Sequence, residues 1–218
     1  MKNIKLKFLT TTSDRSKTSE LIQSLSKFGW DFHIIEHEWN GFLGKITETY
    51  KYLPTLLEQG YTHFIYSDAW DSVTLSSMEE VIHKMKNLEG CVYSVEKACY
   101  PHSELAVLYP ECSTDWKYIN GGGWYSSIEF FQKMVERSYP QEEMNDQVWA
   151  HRQFIENNLG GLIQLDTECK IFQTIGFEGE GDFSYTGNRL FNIKTDQLPV
   201  FIHGNGHTPM TKIYDLIK

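Results

Sequence analysis

Apolar and polar residues alternate over Ile4–Thr10, with Ile4, Leu6 and Phe8 on one face and Lys5 and Lys7 on the other. A period of two predicts a strand. The polar turn Thr10–Asp14 follows, and Ser13 or Asp14 is placed to cap a helix over residues 15–28. Trp30–Glu36 reads as a second strand. After a loop over residues 37–43, a helix is expected at Lys45–Gln59, its second half weakened by Pro54. Thr62–Ser67 is a short apolar run suited to the middle of a parallel sheet. Met78–Asn87 has helical apolar spacing, and Cys91–Val95 is the next strand. This alternation predicts an α/β fold with a mainly parallel central sheet flanked by helices. The second half is less regular, with short strands near Tyr118, Ile163, Ile171 and Val200 and helices near Ile128–Arg137 and Asp146–Asn157.

In open α/β sheets, ligands sit at the carboxyl ends of the strands, where this reading places Thr10, Glu36, Asp68 and Glu96. The 218 residues suffice for one domain over 1–218 with a sizeable core. Their 20 Lys+Arg against 29 Asp+Glu leave a charge of −9, which argues against a module that grips duplex nucleic acid by bulk charge. An acidic chain can still hold a nucleotide through a divalent cation. No stretch reaches the roughly 20 apolar residues of a membrane helix, and the N-terminus does not read as a signal peptide. The four cysteines show neither C-x-x-C nor zinc spacing, so reduced, mostly buried thiols and a soluble cytoplasmic protein are expected.

Asp68-Ala-Trp-Asp71 sets two carboxylates three apart directly after an apolar strand. Brought together, they repel unless a cation lies between them, and Mg²⁺ or Mn²⁺ takes such oxygen ligands. The same spacing also fits exposed turn acids. His203, at the end of the apolar run Val200-Phe-Ile-His203, offers a third ligand that suits Mn²⁺ better than Mg²⁺; a core histidine is the plainer reading. Gly204 and Gly206 beside it let the backbone approach a phosphate. Tyr118-Ile-Asn120-Gly-Gly-Gly123 reads as a strand running into glycines that permit a tight turn, or into a plain loop. Asn120 there can bond sugar hydroxyls. Asn145-Asp146-Gln147 opens a helix, either as a simple N-cap or as a polar cluster aimed at a sugar or an incoming hydroxyl.

Taken in order, several segments resemble the glycosyltransferase domain of the procollagen lysyl hydroxylases and its stand-alone viral and bacterial relatives. They are Glu38-Trp39, Gly44-Lys45, Tyr66-Ser-Asp68-Ala-Trp-Asp71-Ser-Val, Ser94-Val-Glu96-Lys-Ala-Cys-Tyr-Pro101 and Tyr109-Pro-Glu111. Tyr118-Ile-Asn-Gly-Gly122, Asn145-Asp-Gln147, Leu165–Gln173 and Leu198–Gly206 complete the set, which covers nearly the whole chain.

The resemblance implies a single GT-A-like domain that transfers a hexose, glucose or galactose, from a UDP-sugar to a hydroxyl with Mn²⁺ (or Mg²⁺). Asp68, Asp71 and His203 match the family's metal ligands. Thr10, Thr12, Trp39, Lys45 and Trp70 fall where the family holds nucleotide and diphosphate, as do Gly204, Asn205, Gly206 and Lys212. Asn120, Gly121, Asn145, Asp146 and Gln147 match the polar cluster near donor sugar and acceptor. Glu96 matches an acid ahead of an aromatic-Pro pair. The family's aspartate run is here Glu142-Glu-Met-Asn-Asp-Gln147, with Asn145 in place of a carboxylate, which favours the alternative of a non-catalytic nucleotide-sugar- or glycan-binding relative. The acceptor stays open among a collagen-like hydroxylysine or galactosyl-hydroxylysine, a glycan, and a hydroxymethylated DNA base.

Overall fold

The computed structural model describes residues 4–140, 145–158, 161–177, 179 and 181–218. The opening alternation forms β1 (Leu6–Thr12), followed by α1 (Ser19–Lys27), β2 (Phe32–Glu36), α2 (Gly44–Glu58) and β3 (His63–Ser67). Helix α2 passes through Pro54, with Leu53 and Leu56 buried on either side of it. Then come β4 (Ser72–Thr74), α3 (Met78–Met85), β5 (Cys91–Glu96) and β6 (Tyr118–Ser127). The chain continues through α4 (Ile128–Arg137), α5 (Asp146–Ile155), β7 (Ile163–Leu165) and β8 (Phe172–Thr174). It closes with the hairpin β9 (Phe183–Thr186) and β10 (Arg189–Asn192), β11 (Phe201–His203) and α6 (Thr211–Ile217).

The central sheet has the order β2-β1-β3-β6-β5-β7. Strands β2, β1 and β3 pair in parallel, as do β5 and β7, while β6 runs antiparallel between β3 and β5. The sheet is therefore mainly parallel, and the architecture is GT-A-like. A smaller sheet, β4-β11-β8, pairs β11 antiparallel to β4 and parallel to β8.

The two-residue period puts alternate side chains of each strand on opposite faces. Leu9, Phe64, Tyr66, Tyr93 and Trp124 pack with residues of α2, α4 and α5 on one face. Leu6, Phe8, Ile65, Val92 and Tyr125 face α1, α3 and the small sheet on the other. Stacking of Tyr66 on Trp124, centroids 4.0 Å apart, fixes β3 against β6. The far side of the small sheet is covered by α6, through Met210, Ile213 and Ile217.

Three features differ from the sequence reading. Gly121, Gly122 and Gly123 lie inside the ten-residue strand β6, not in a turn or loop. Strands β4, β9 and β10 and helix α6 carry no clear periodic signal, because each is short and is stabilised by what it packs on. All four cysteines are free, but only Cys91 and Cys169 are buried; Cys99 and Cys112 are partly exposed. No helix among the described residues is long and apolar enough to cross a membrane.

Candidate functional site

Asp68 is the first residue beyond β3. Its N–H donates to the Gly122 carbonyl at 2.9 Å, and its own carbonyl accepts the Ser72 hydroxyl, closing a turn that launches β4. The β4–β11 register sets Ser72 opposite His203, and the Gly204 N–H donates to the Asp71 carbonyl at 2.8 Å. One turn and one ladder rung thus gather residues far apart in sequence. His203 Nε2 lies 3.4 Å from Asp71 Oδ1 and 3.6 Å from Asp68 Oδ2, and one ligand atom from each of the three falls within 4.8 Å of the others.

The orientation of the imidazole is set from behind. His203 Nδ1 lies 3.0 Å from Asn120 Oδ1, which also accepts the Gly122 N–H at 3.0 Å. That second bond fixes the amide the right way round, so the proton belongs on Nδ1 and the Nε2 lone pair faces the carboxylates. Burial opposes charge on His203, yet the Asp71 and Asp68 carboxylates outweigh it and hold its pKa above the ordinary value. Asp71 is only partly buried; what desolvation it has opposes its charge, and His203 pulls its pKa down despite that. With no cation between them, the two carboxylates thus favour a proton on the imidazole. Deprotonated, the same three groups are two oxygens and a nitrogen converging from one side, a donor set that fits a divalent metal with positions left open.

Behind this cluster lies Glu96, 5% exposed at the end of β5. Its Oε1 accepts Asn120 Nδ2 at 3.2 Å and Gln147 Nε2 at 2.7 Å, and its Oε2 accepts Asn205 Nδ2 at 2.8 Å. Gln147 Oε1 in turn accepts the Gly121 N–H at 3.0 Å, and Asn205 Oδ1 the Gly176 N–H at 2.7 Å. Burial pushes the Glu96 carboxyl pKa up, and the three amide donors pull against that.

The three strand glycines explain how these layers fit. A Cβ on Gly122 would enter the His203 ring, one on Gly121 would meet Asp146 Oδ2, and one on Gly123 would meet the Phe172 ring. Glycine within a strand here serves close approach.

Lys45, in the first turn of α2, is largely but not fully buried between carboxylates. Its Nζ donates to Asp68 Oδ1 at 2.8 Å and to Gly121 O at 3.3 Å, and pairs with Asp146 Oδ2 at 2.8 Å. Burial opposes its charge, but Asp146 and Asp68 hold its pKa well above the ordinary value. Asn145 is the N-cap of α5, its Oδ1 accepting the Gln147 N–H at 2.8 Å. Glu142, Glu143 and Met144 lie outside the described residues.

A cavity of about 480 Å³ opens beside Asp68 and Asp71 and is walled by Thr12, Trp39, Trp70 and Tyr214 among others. Trp70 donates its indole N–H to Thr12 Oγ1 at 2.9 Å, and Lys17 Nζ sits 4.2 Å over its ring. Trp39 is 59% exposed and packs edge-on against Phe42.

The structure thus gathers Asp68, Asp71, His203, Lys45, Asp146, Thr12, Trp39 and Trp70 at or beside one cavity. Glu96, Asn120, Gly121, Gln147 and Asn205 form its rear support, and Gly204 packs tightly against Met210 and the Thr208 carbonyl. Gly206, at φ +67°, shapes the turn that follows. Thr10 is fully buried, and its hydroxyl has no partner among the described residues. Lys212 is exposed on α6 and does not line the cavity. Sequence reasoning passed over His207, Thr208, Met210 and Tyr214, which do line it. Their segment has no periodic pattern, and only the turn after His203 brings it there.

Residues 3–214 match the PLOD GT domain family. The chain belongs to that family of glycosyltransferase domains. An uncharacterized protein, R699, of Acanthamoeba polyphaga mimivirus is 32% identical over 145 residues, 65% of this chain and 31% of the relative. The human multifunctional procollagen lysine hydroxylase and glycosyltransferase LH3 is 27% identical over 156 residues, 69% of this chain and 21% of the relative. This member of the PLOD GT family therefore spans between a fifth and a third of the length of these relatives. Its fold is also that of a crystallised glycosyltransferase involved in the glycosylation of the major capsid of PBCV-1, with TM-score 0.58 and 12% identity, covering 97% of this chain and 98% of the other.

Proposed function

We propose that this chain is a Mn²⁺-dependent transferase that moves a hexose, glucose or galactose, from a UDP-sugar to an acceptor hydroxyl. The observation that carries this reading is the convergence of Asp68, Asp71 and His203 at the wall of a cavity that also presents Trp39 and Trp70. A cation held there supplies Lewis-acid stabilisation of the UDP leaving group. The indole faces of Trp39 and Trp70 offer stacking surfaces for the uracil. Thr12 is already bonded to Trp70 and holds that ring in place.

Asp146 is the candidate for work at the reacting centre. It is buried in the first turn of α5 and paired with Lys45, so it brings a carboxylate whose nearest counter-charge is fixed. In that position it orients the acceptor hydroxyl or supports positive charge at the anomeric carbon. Asn120 and Gln147 have their amides committed to Glu96, His203 and Gly121. Their part is to hold the metal-side imidazole and the β6 backbone. Asn145, the residue behind the non-catalytic alternative, is used as a helix cap. An aspartate there would cap equally well, which supports the catalytic reading.

The test is titration of the purified protein with UDP-glucose and UDP-galactose, with and without Mn²⁺, together with slow donor hydrolysis. Mn²⁺-dependent binding with release of UDP is expected. Absence of both binding and turnover across a metal and donor screen would sink the proposal. Mass-spectrometric profiling of hydroxylysine, glycan and hydroxymethylated-base acceptors then separates the three acceptor classes.

A further inference from the structure

Two lysines were aimed at a diphosphate by sequence, and neither is free on the cavity wall for one. Lys45 is held between Asp68 and Asp146, and Lys212 is exposed and does not line the wall. Among the described residues lining the cavity, two other side chains carry a basic nitrogen, His37 and His207. His37 Nδ1 is engaged with the Glu38 carbonyl at 2.7 Å. The His207 side chain makes no hydrogen bond or ion pair among the described residues.

The segment carrying His207 is tied to the metal-ligand cluster at several points. The Gly204 N–H donates to the Asp71 carbonyl at 2.8 Å, and the Thr208 N–H returns to the Gly204 carbonyl at 3.1 Å. Thr208 Oγ1 donates to the Asn205 carbonyl, while the Asn205 amide is anchored on Glu96, both at 2.8 Å. Inside this frame Gly206 and His207 take left-handed backbone, at φ +67° and +63°. For a residue with a Cβ that conformation carries strain, and strain held by surrounding bonds gathers at functional sites. The frame thus places an uncommitted imidazole on the wall that Asp68 and Asp71 share.

We infer that His207 is a donor-binding residue whose imidazole N–H hydrogen-bonds the diphosphate of the nucleotide-sugar. This rests on the proposed UDP-sugar reading and deepens it by naming the protein's own contact to the phosphate oxygens. A hydrogen bond to a charged phosphate oxygen is worth enough to change affinity roughly tenfold or more. Uridine lacks the group contacted and loses nothing when the contact goes.

The experiment measures uridine, UMP and UDP binding with Mn²⁺ for the wild type, His207→Gly and His207→Gln. Glycine removes the imidazole and suits the left-handed backbone, so thermal stability should be kept or raised. Expected is a roughly tenfold or greater loss of UDP affinity in His207→Gly, uridine affinity within twofold of wild type, and partial recovery in His207→Gln. Unchanged UDP affinity in His207→Gly overturns the assignment while leaving the proposed function standing. A parallel fall for uridine and UDP overturns it too, placing His207 at the nucleoside. If wild-type protein binds no UDP with Mn²⁺, the donor reading and this assignment fail together.

Discussion

Two groups of carboxylates sit back to back in this protein and are treated in opposite ways. At the cavity, Asp68 and Asp71 face a single imidazole at 3.6 and 3.4 Å and remain partly exposed, with side chains 26% and 36% accessible. Behind them, Glu96 is buried and accepts three amide N–H groups. The rear group is complete as it stands, because its acceptors are matched by donors of fixed direction. At the front, Asp68 shares Lys45 with Asp146, so three carboxylates meet one lysine and one imidazole, an unbalanced set that a cation would complete. Completeness behind and deficiency in front are coupled through Asn120, whose amide serves both Glu96 and His203.

The contrast is broken most sharply by Asp71→Asn. Removing one front carboxylate is expected to abolish Mn²⁺-dependent UDP binding, a loss of at least about 100-fold for one of three ligands. The unfolding midpoint without metal should fall only slightly, because the attraction of Asp71 to His203 is lost while its repulsion with Asp68 is relieved. Calorimetric titration and thermal melts with and without Mn²⁺ check this. Retained metal-dependent binding would dismiss Asp71 as a ligand.

Glu96→Gln should give the reverse weighting. An amide group in place of one oxygen turns an acceptor into a donor facing other donors, at a cost of roughly 1–3 kcal/mol in a buried site. Metal affinity should fall as well, by about 10-fold or more, because Asn120 loses the anchor on its Nδ2 and keeps only the Gly122 N–H to hold it against His203. Denaturant unfolding paired with Mn²⁺ titration reads both. If stability is unchanged, Glu96 does not hold Asn120, Gln147 and Asn205 in place.

How far sequence could see differs between the same two layers. Asp68, Asp71 and His203 were legible because ligand-type residues follow apolar strands, and strand ends are where α/β sheets place their sites. The parallel β1–β3 core was legible from local periodicity. The rear support was not, since nothing local shows that Glu96, Gln147 and Asn205 meet; only the order of strands does. Gly121–Gly123 read as a turn because glycine is scarce in strands. The tight contacts that require them, with His203, Asp146 and Phe172, are long-range. The antiparallel insertion of β6 likewise leaves no trace in a pattern that reports period and not direction. Lys45 was expected beside a diphosphate, but its pairing with Asp146 depends on α5 lying across β6.

The smallest effect tests a carboxylate away from the cavity, Glu80, which is balanced chiefly by two side-chain cations. Glu80 on α3 accepts Arg189 Nη1 and Nη2 at 2.9 and 3.1 Å and pairs with Lys84 Nζ at 2.6 Å. Arg189 also donates to the Leu198 and Pro199 carbonyls at 3.0 and 3.1 Å, and Lys84 to those of Lys170 and Leu198 at 2.9 and 2.8 Å. Burial raises the Glu80 pKa, but Arg189, Lys84 and the Ser76 hydroxyl, which also donates to Oε2, overcome it and pull the carboxyl from 4.5 down to about 2. A depressed carboxylate pKa stabilises the fold above its unfolded value, and that contribution drains away as pH falls from about 4.5 through about 2. Glu80→Gln should therefore cost about 1 kcal/mol near neutral pH, with the side chain only partly buried. The difference from wild type should shrink steadily below pH 4.5. Urea unfolding at a series of pH values measures that convergence, while Mn²⁺–UDP binding stays as in the wild type. A gap that persists unchanged into acid would mean that the shape of the side chain, not its charge, holds α3 to β10.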